Sequence, residues 1–336
     1  MRLIKWLVII VVLAAASPFI ALAGYGFMHG LDVANAFRML FVTPGGETID
    51  PARVPYRQPV AIRWLGNVEN LDLSEASGLA SSIAAENVLW GVNDSGNDSE
   101  LFAMRVTGED LGSWPVEAPQ PADWEALAAF EYQGDAYLMI ADVGDNLRWR
   151  PTLRLFAVRE PALGNPQDQP IEVAWEVRFR YPEGYRDCEA IAVDEATQEV
   201  LLLSKRVRPA EVFSVPLRPA EPLVTARQIA VLDNLPQPVE RDTYENPKYG
   251  AYRSQPTGFD IAGNRAIVAT YKDAYLYERQ PGETWGTALS RIPQRIALPG
   301  VPSRESVAFA RDGSRFYTTN ERSNGTDAAG IFEIEL

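Results

Sequence analysis

From residue 59 onward short apolar runs alternate with clusters of Gly, Asp, Asn and Pro, and the runs come in a fixed order. A four-residue cassette recurs five times, each time opening on an oxygen-bearing side chain: Ser77-Gly-Leu-Ala, Glu125-Ala-Leu-Ala, Glu189-Ala-Ile-Ala, Thr257-Gly-Phe-Asp and Glu305-Ser-Val-Ala. Two further extended runs follow each cassette, "VLWGVND" and "LFAMRV" after the first and "RFYTTNE" and "GIFEIE" after the last. A fourth run, such as "IEVAWEVRFRY" or "LVTARQIAVL", precedes the next cassette. Alternating apolar and polar residues between turn-forming clusters specify strands rather than helices. The cassettes lie 48, 64, 68 and 48 residues apart, about the length of a four-stranded repeat. The pattern therefore predicts an all-β chain, a five-bladed β-propeller, with six blades as the alternative count.

The last repeat lacks a fourth strand, because the chain stops at Leu336 after its third. The spare run Pro59 to Gly66 is expected to supply it and so close the ring, removing two open sheet edges. Ahead of it, Arg2 and Lys5 precede an uncharged stretch from Trp6 to Met28. The Ala21-Leu-Ala23 site favours a cleaved signal peptide, whereas the length of the stretch suits a membrane anchor. Either places the folded body outside the cytoplasm, periplasmic or secreted. The expected division is 1–28 signal peptide or anchor, 29–58 a Pro/Gly-rich stalk, and 59–336 the propeller.

A formal charge of −14 leaves no basic stripe for a nucleic acid duplex and disfavours adhesion to anionic lipid, so the membrane enters only through the N-terminal segment. The single cysteine, Cys188, cannot form an intrachain disulfide and reads as a buried thiol. The single histidine, His29, sits beside the N-terminal apolar segment. The folded body thus has no imidazole, which removes Ser-His-Asp catalysis and the usual zinc sites.

In a propeller the cassette openings and the second-strand ends converge on one mouth of the central channel. The openings supply Ser77, Glu125, Glu189, Thr257 and Glu305; the strand ends supply Asn93, Asp94, Asp142, Lys205, Lys272, Asn320 and Glu321. Three carboxylates in a narrow channel must be protonated, paired with a cationic side chain, or bound to a metal. With two hydroxyls they make an all-oxygen set that suits Ca²⁺ better than the stricter octahedron of Mg²⁺. "NDSGNDSE" (Asn93 to Glu100) and "ADVGDNLRWR" (Ala141 to Arg150) read first as Asx-rich turns and second as metal contacts.

At these residues the chain resembles two families. Calcium-activated nucleotidases (apyrases) are five-bladed propellers that hold Ca²⁺ with a Ser, Glu, Glu, Ser, Glu ring; Ser77, Glu125, Glu189, Thr257 and Glu305 stand in the same order, with Thr for one Ser. "LWGVNDSG" is similar to that family's "LYSVDDRTG" but lacks its Arg, with Asp94 in place of an active-site aspartate. Closer in wording is a family of secreted bacterial propellers of unassigned activity, which reads "SGLA…NDSG…DWEDIA…IGDIGDN…EAI". The resemblance implies a calcium ring, and two functions follow. In the first, the protein hydrolyses a phosphoanhydride or phosphoester: Asp94 or Asp142 positions water, and Lys205, Arg206 and Lys272 neutralise developing charge. In the second it is a non-catalytic module, with structural Ca²⁺, that binds a small acidic ligand or a protein partner at the channel mouth.

Overall fold

The computed structural model describes residues 48–336 except 95, 120–122, 165–169, 246–253, 302–303 and 323–328. The N-terminal segment 1–28 and His29 lie outside the described residues, within which no helix is long and apolar enough to cross a membrane.

The described chain is nearly all strand. After β1 (Ala61–Asn67) it builds four-stranded antiparallel units in sequence order. The first contains β2 (Ala76–Ser81), β3 (Val88–Asn93), β4 (Glu100–Arg105) and β5 (Asp110–Glu117). The second contains β6 (Trp124–Tyr132), β7 (Asp135–Asp142), β8 (Leu153–Arg159) and β9 (Ile171–Arg180). These two join through a short parallel contact of β5 with β9. The third contains β10 (Asp187–Asp194), β11 (Glu199–Lys205), β12 (Ala210–Pro216) and, after the two-residue β13 (Val224–Thr225), β14 (Arg227–Leu232). Helix α1 (Glu240–Glu245) leads to the fourth, β15 (Pro256–Ala262), β16 (Arg265–Thr270) and β17 (Asp273–Glu278), whose outer strand β18 (Gln294–Ala297) follows α2 (Trp285–Leu289). The last has β19 (Arg304–Phe309), β20 (Arg315–Asn320) and β21 (Gly330–Glu335), and its outer strand is β1, paired from Ala61↔Glu335 to Asn67↔Gly330. The run expected to close the ring does so.

The first strands of the units touch in a closed cycle: β2, β6, β10, β15, β19 and β2 again. This is a propeller-like arrangement, and its core is the set of apolar layers between successive units. One layer packs Phe130, Leu155 and Phe179 against Ile191, Leu202 and Phe213. Another packs Leu201, Leu203 and Leu232 against Phe259, Val268 and Tyr275. Fully burying each such side chain is worth about 1.5–3 kcal/mol. At the axis the approach is closer: a Cβ at Gly78 would stand 2.6 Å from Leu127 N, so the Gly of the first cassette is a steric requirement.

Residues 49–57, expected within a stalk, instead pack on the body. Ile49 N donates to Asp233 O at 2.7 Å, Val54 is buried in the apolar layer beside Leu235 and Leu289, and Tyr56 bridges Arg295 in parallel register. The correction has a physical cause: this backbone satisfies the open edge of β18, which would otherwise template aggregation.

Candidate metal centre in the channel

Each first strand pairs with its second strand through one irregularity, and the five irregularities fall at equivalent places. The register slips between Ala76 and Gly78, Trp124 and Ala126, Cys188 and Ala190, Pro256 and Gly258, and Arg304 and Ser306. The residues skipped are Ser77, Glu125, Glu189, Thr257 and Glu305. A bulged residue leaves the ladder and its side chain is re-aimed; here all five serve the channel. Ser77, Glu189, Thr257 and Glu305 line a central cavity of about 10 Å³, and Ser77 Oγ donates to Glu125 Oε2 at 3.2 Å. Two residues further along each strand, Leu79, Leu127, Ile191, Phe259 and Val307 form an apolar layer, all buried, that closes the channel beneath the ring.

Charge inside the ring is incompletely balanced. Lys205 Nζ lies 2.7 Å from Glu189 Oε2 and 3.6 Å from Glu305 Oε2, with its side chain 6% exposed. Burial works against that ammonium, but Glu189 and Glu305 outweigh it and hold its pKa above the ordinary lysine value. The Glu305 carboxyl is pushed up to about 8, first by burial, with Lys205 opposing and Glu189 adding; Tyr271 OH donates to its Oε1 at 2.8 Å. Glu125 is raised well above the usual carboxylate range by burial, then by Glu189, Asp94 and Asp123. One ammonium thus faces three ring carboxylates, and the Thr257 hydroxyl, fully buried, meets no hydrogen-bond partner among the described residues. An orphaned buried hydroxyl beside surplus carboxylate is the environment a hard divalent cation relieves.

Above the ring the carboxylates continue. Asp94, Asp123 and Glu125 each offer an oxygen within 4.8 Å of the others. Asp123 is pushed up to about 7, chiefly by burial and then by Asp94, and its Oδ1 is buried without a hydrogen-bond partner among the described residues. Glu321 is also raised to about 7 by burial, Asp94 and Glu75. Gly144 makes this crowding feasible, because a Cβ there would stand 2.4 Å from Asp123 Oδ2 and 2.7 Å from Glu125 Oε1. Asp123 opens the "DWE" motif but did not enter the sequence-derived site; its place two residues before a bulged Glu is the signal that marks it.

The other candidates separate. Lys205 reaches the ring. Lys272 does not match it: the residue paired like Ser204 is Thr270, so Tyr271 is the counterpart of Lys205 and Lys272 lies one position beyond. Lys272 Nζ instead meets Asp242 Oδ1 of α1 at 2.7 Å with its side chain 44% exposed. Asp142, fully buried, is held by Arg150 and Arg154 at 2.7 Å each and accepts from Asp123 N at 3.1 Å. It therefore orients the strand carrying Asp123 and Glu125. Its counterparts Asn93 and Asn320 make comparable bonds, their Oδ1 atoms accepting from Glu75 N and Gly330 N respectively, both at 3.0 Å. Asp145 caps its own turn, accepting from Trp149 N and Arg150 N at 2.8 Å, and Arg206 pairs with Asp187. Of the cations in the loop 234–254, Arg241 pairs with Glu245, and Lys248 and Arg253 lie outside the described residues.

No protein-family model matches the chain, and no curated protein matches it. Solved structures resemble it at the level of fold. The PQQ-bound aldose sugar dehydrogenase of Streptomyces coelicolor is 13% identical, with 82% of this chain and 98% of that one covered and a TM-score of 0.42. The RRP9 WD40 repeats are 10% identical over 84% and 99%, with a TM-score of 0.45. The allergen Mala s 1 of Malassezia sympodialis is 9% identical over 80% and 95%, with a TM-score of 0.49. The sugar dehydrogenase and the WD40 repeats are propeller folds, and likeness at these values assigns no chemistry to this chain.

Proposed function

We propose that the protein is a five-bladed, extracytoplasmic β-propeller that holds one Ca²⁺ with Ser77, Glu125, Glu189, Thr257 and Glu305, and that it uses the mouth above this centre for binding. The observation that carries the metal is the coincidence of five register bulges with five oxygen side chains, one of them the Thr257 hydroxyl, which has no hydrogen-bond partner among the described residues. Calcium accepts such mixed hydroxyl and carboxylate sets and completes them with water.

Binding is favoured over phosphoryl chemistry by the state of the cations. A phosphoryl-transfer site needs positive charge beyond the metal. Lys205 is engaged by Glu189 and Glu305, Arg206 by Asp187 and Lys272 by Asp242, while the mouth itself carries Glu75, Asp94, Asp123 and Glu321. That surface favours a neutral or cation-bearing ligand, including a basic face of a protein partner, over an acidic small molecule. A hydrolase remains the second reading, on one observation: Asp123, raised to about 7 beside Asp94 and Glu125, is poised as a proton acceptor.

Chelator-treated protein should gain stability on adding Ca²⁺. A ligand at a hundred times its Kd contributes about 2.7 kcal/mol, a few degrees in a body of this size. The Glu125→Gln/Glu189→Gln double variant should lose the response. Wild type should hydrolyse no nucleotide or aryl phosphate with Ca²⁺ present. Turnover abolished by Asp123→Asn would establish the hydrolase reading instead, and an undiminished calcium shift in the double variant would remove the ring.

A further inference from the structure

The apolar layer of Leu79, Leu127, Ile191, Phe259 and Val307 divides the channel, and on its far side the axis opens again into a separate cavity of about 270 Å³. Its floor repeats the ring's logic two residues further along each first strand, where Ser81, Ala129, Val193, Ile261 and Phe309 line it. Four of these five are apolar. The Ser81 hydroxyl is the exception, buried with no hydrogen-bond partner among the described residues.

The wall carries charge in a definite balance. Asp194, on the wall, is taken by Arg279 at 2.7 Å and by Thr197 at 2.8 Å, and Arg311 Nη1 donates to Ile83 O. Glu131, Glu195 and Asp260 also line the cavity, and none of the ion pairs among the described residues includes them. Asp260 is held in place by backbone donors, Phe309 N at 2.7 Å and Ile261 N at 2.8 Å. Glu195 is fixed by Glu131 N at 2.7 Å. Each carboxylate oxygen has further acceptor capacity beyond one such bond. The carboxylates of Glu131 and Glu195, together with the carboxyl of Asp260, therefore stand against the one guanidinium of Arg311 around an apolar floor. An anionic ligand would meet surplus negative charge; a cation with an aliphatic body would meet complementary charge and bury its chain.

We propose that this far mouth binds a small organic cation, a primary ammonium on a short aliphatic body, independently of the calcium ring. The ammonium sits among Asp260, Glu195 and Glu131, with the Ser81 hydroxyl as a neutral acceptor, and the chain rests on Val193, Ile261 and Phe309. None of the residues lining this cavity belongs to the ring, and the apolar layer lies between the two, so its occupation does not depend on Ca²⁺.

The test is an NMR titration of the full chain, in chelator, with three probes of one size: n-butylammonium, n-butanol and butyrate. A hydrogen-bonded charge pair in a partly buried site is worth roughly tenfold in affinity, so n-butylammonium should bind about tenfold tighter than the alcohol. Butyrate should be weakest. Glu195→Gln, at an exposed position that does not threaten folding, should weaken the ammonium alone, and Ile261→Trp should fill the floor and block it. Equal affinities, tighter butyrate, or n-butylammonium binding unchanged by Glu195→Gln would each overturn the proposal. Added Ca²⁺ should leave the titration unchanged; competition would place the ammonium at the ring and overturn it as well.

Discussion

Replacing Lys205 by Met removes the ring's one ammonium while keeping much of its volume. In the wild type that ammonium stands 2.7 Å and 3.6 Å from two carboxylates, at 6% side-chain exposure. At an effective dielectric near 20 the gross attraction to both is roughly 10 kcal/mol. Desolvation of the three groups cancels the larger part, and breaking a buried pair typically leaves a net loss of about 3–5 kcal/mol. For a domain of this size that corresponds to a Tm lower by roughly 10 °C. Differential scanning calorimetry in chelator should show the drop. Added Ca²⁺ should then raise the variant more than the wild type, because the cation replaces the missing charge between Glu189 and Glu305. A variant within about 2 °C of wild type in chelator would refute the assignment of Lys205 as the ring's counter-ion. A calcium shift no larger than the wild type's would refute the placement of the metal beside it.

Gly144→Ala has an allowed backbone but sets a methyl 2.4 Å from Asp123 Oδ2 and 2.7 Å from Glu125 Oε1, so calcium affinity by titration calorimetry should fall about tenfold, a 1.4 kcal/mol effect, while the circular dichroism spectrum is retained. Unchanged affinity would show that those carboxylates do not position the ion. Asp260 is pushed up to about 7 by burial, against an ordinary value of 3.8, with its two backbone bonds opposing. The folded state therefore holds this proton through a window in which the unfolded chain has released it, and the group's contribution to stability declines as pH rises from about 4 to about 7. Asp260→Asn should flatten that part of the stability profile measured by denaturant titration, and a steeper slope would reverse the assignment.

The ring was legible in the sequence because a bulged position imposes two requirements at once. Its own side chain must be polar to face the axis, and the residues after it must be small or apolar to seal the channel and pack between units. Ser77, Glu125, Glu189, Thr257 and Glu305 each head such a string. The closing strand was legible because the last repeat was one run short. Matching Lys205 with Lys272 failed on hairpin length. Asp194 pairs with Glu199 across a four-residue turn, whereas Ala262 pairs with Arg265 across two, which moves the second-strand end two residues nearer its cassette and brings Tyr271 rather than Lys272 to the ring. Residues 49–57 read as a linker because two prolines, Pro51 and Pro55, interrupt a short polar run; that they cover the β18 edge depends on a contact with residues more than two hundred positions away. Asp142 and Asp145 carried the same composition as metal ligands, and only the arginines and turn amides around them decide otherwise.

The central claim is that one calcium ion sits where the five bulges converge, and crystals of the protein grown with Ca²⁺ test it by anomalous scattering. A single strong anomalous peak is expected, bounded by the Ser77 and Thr257 hydroxyls and the Glu125, Glu189 and Glu305 carboxylates. A peak confined to Asp94 and Asp123, or a ring containing Lys205 and no anomalous scatterer at saturating calcium, would contradict it.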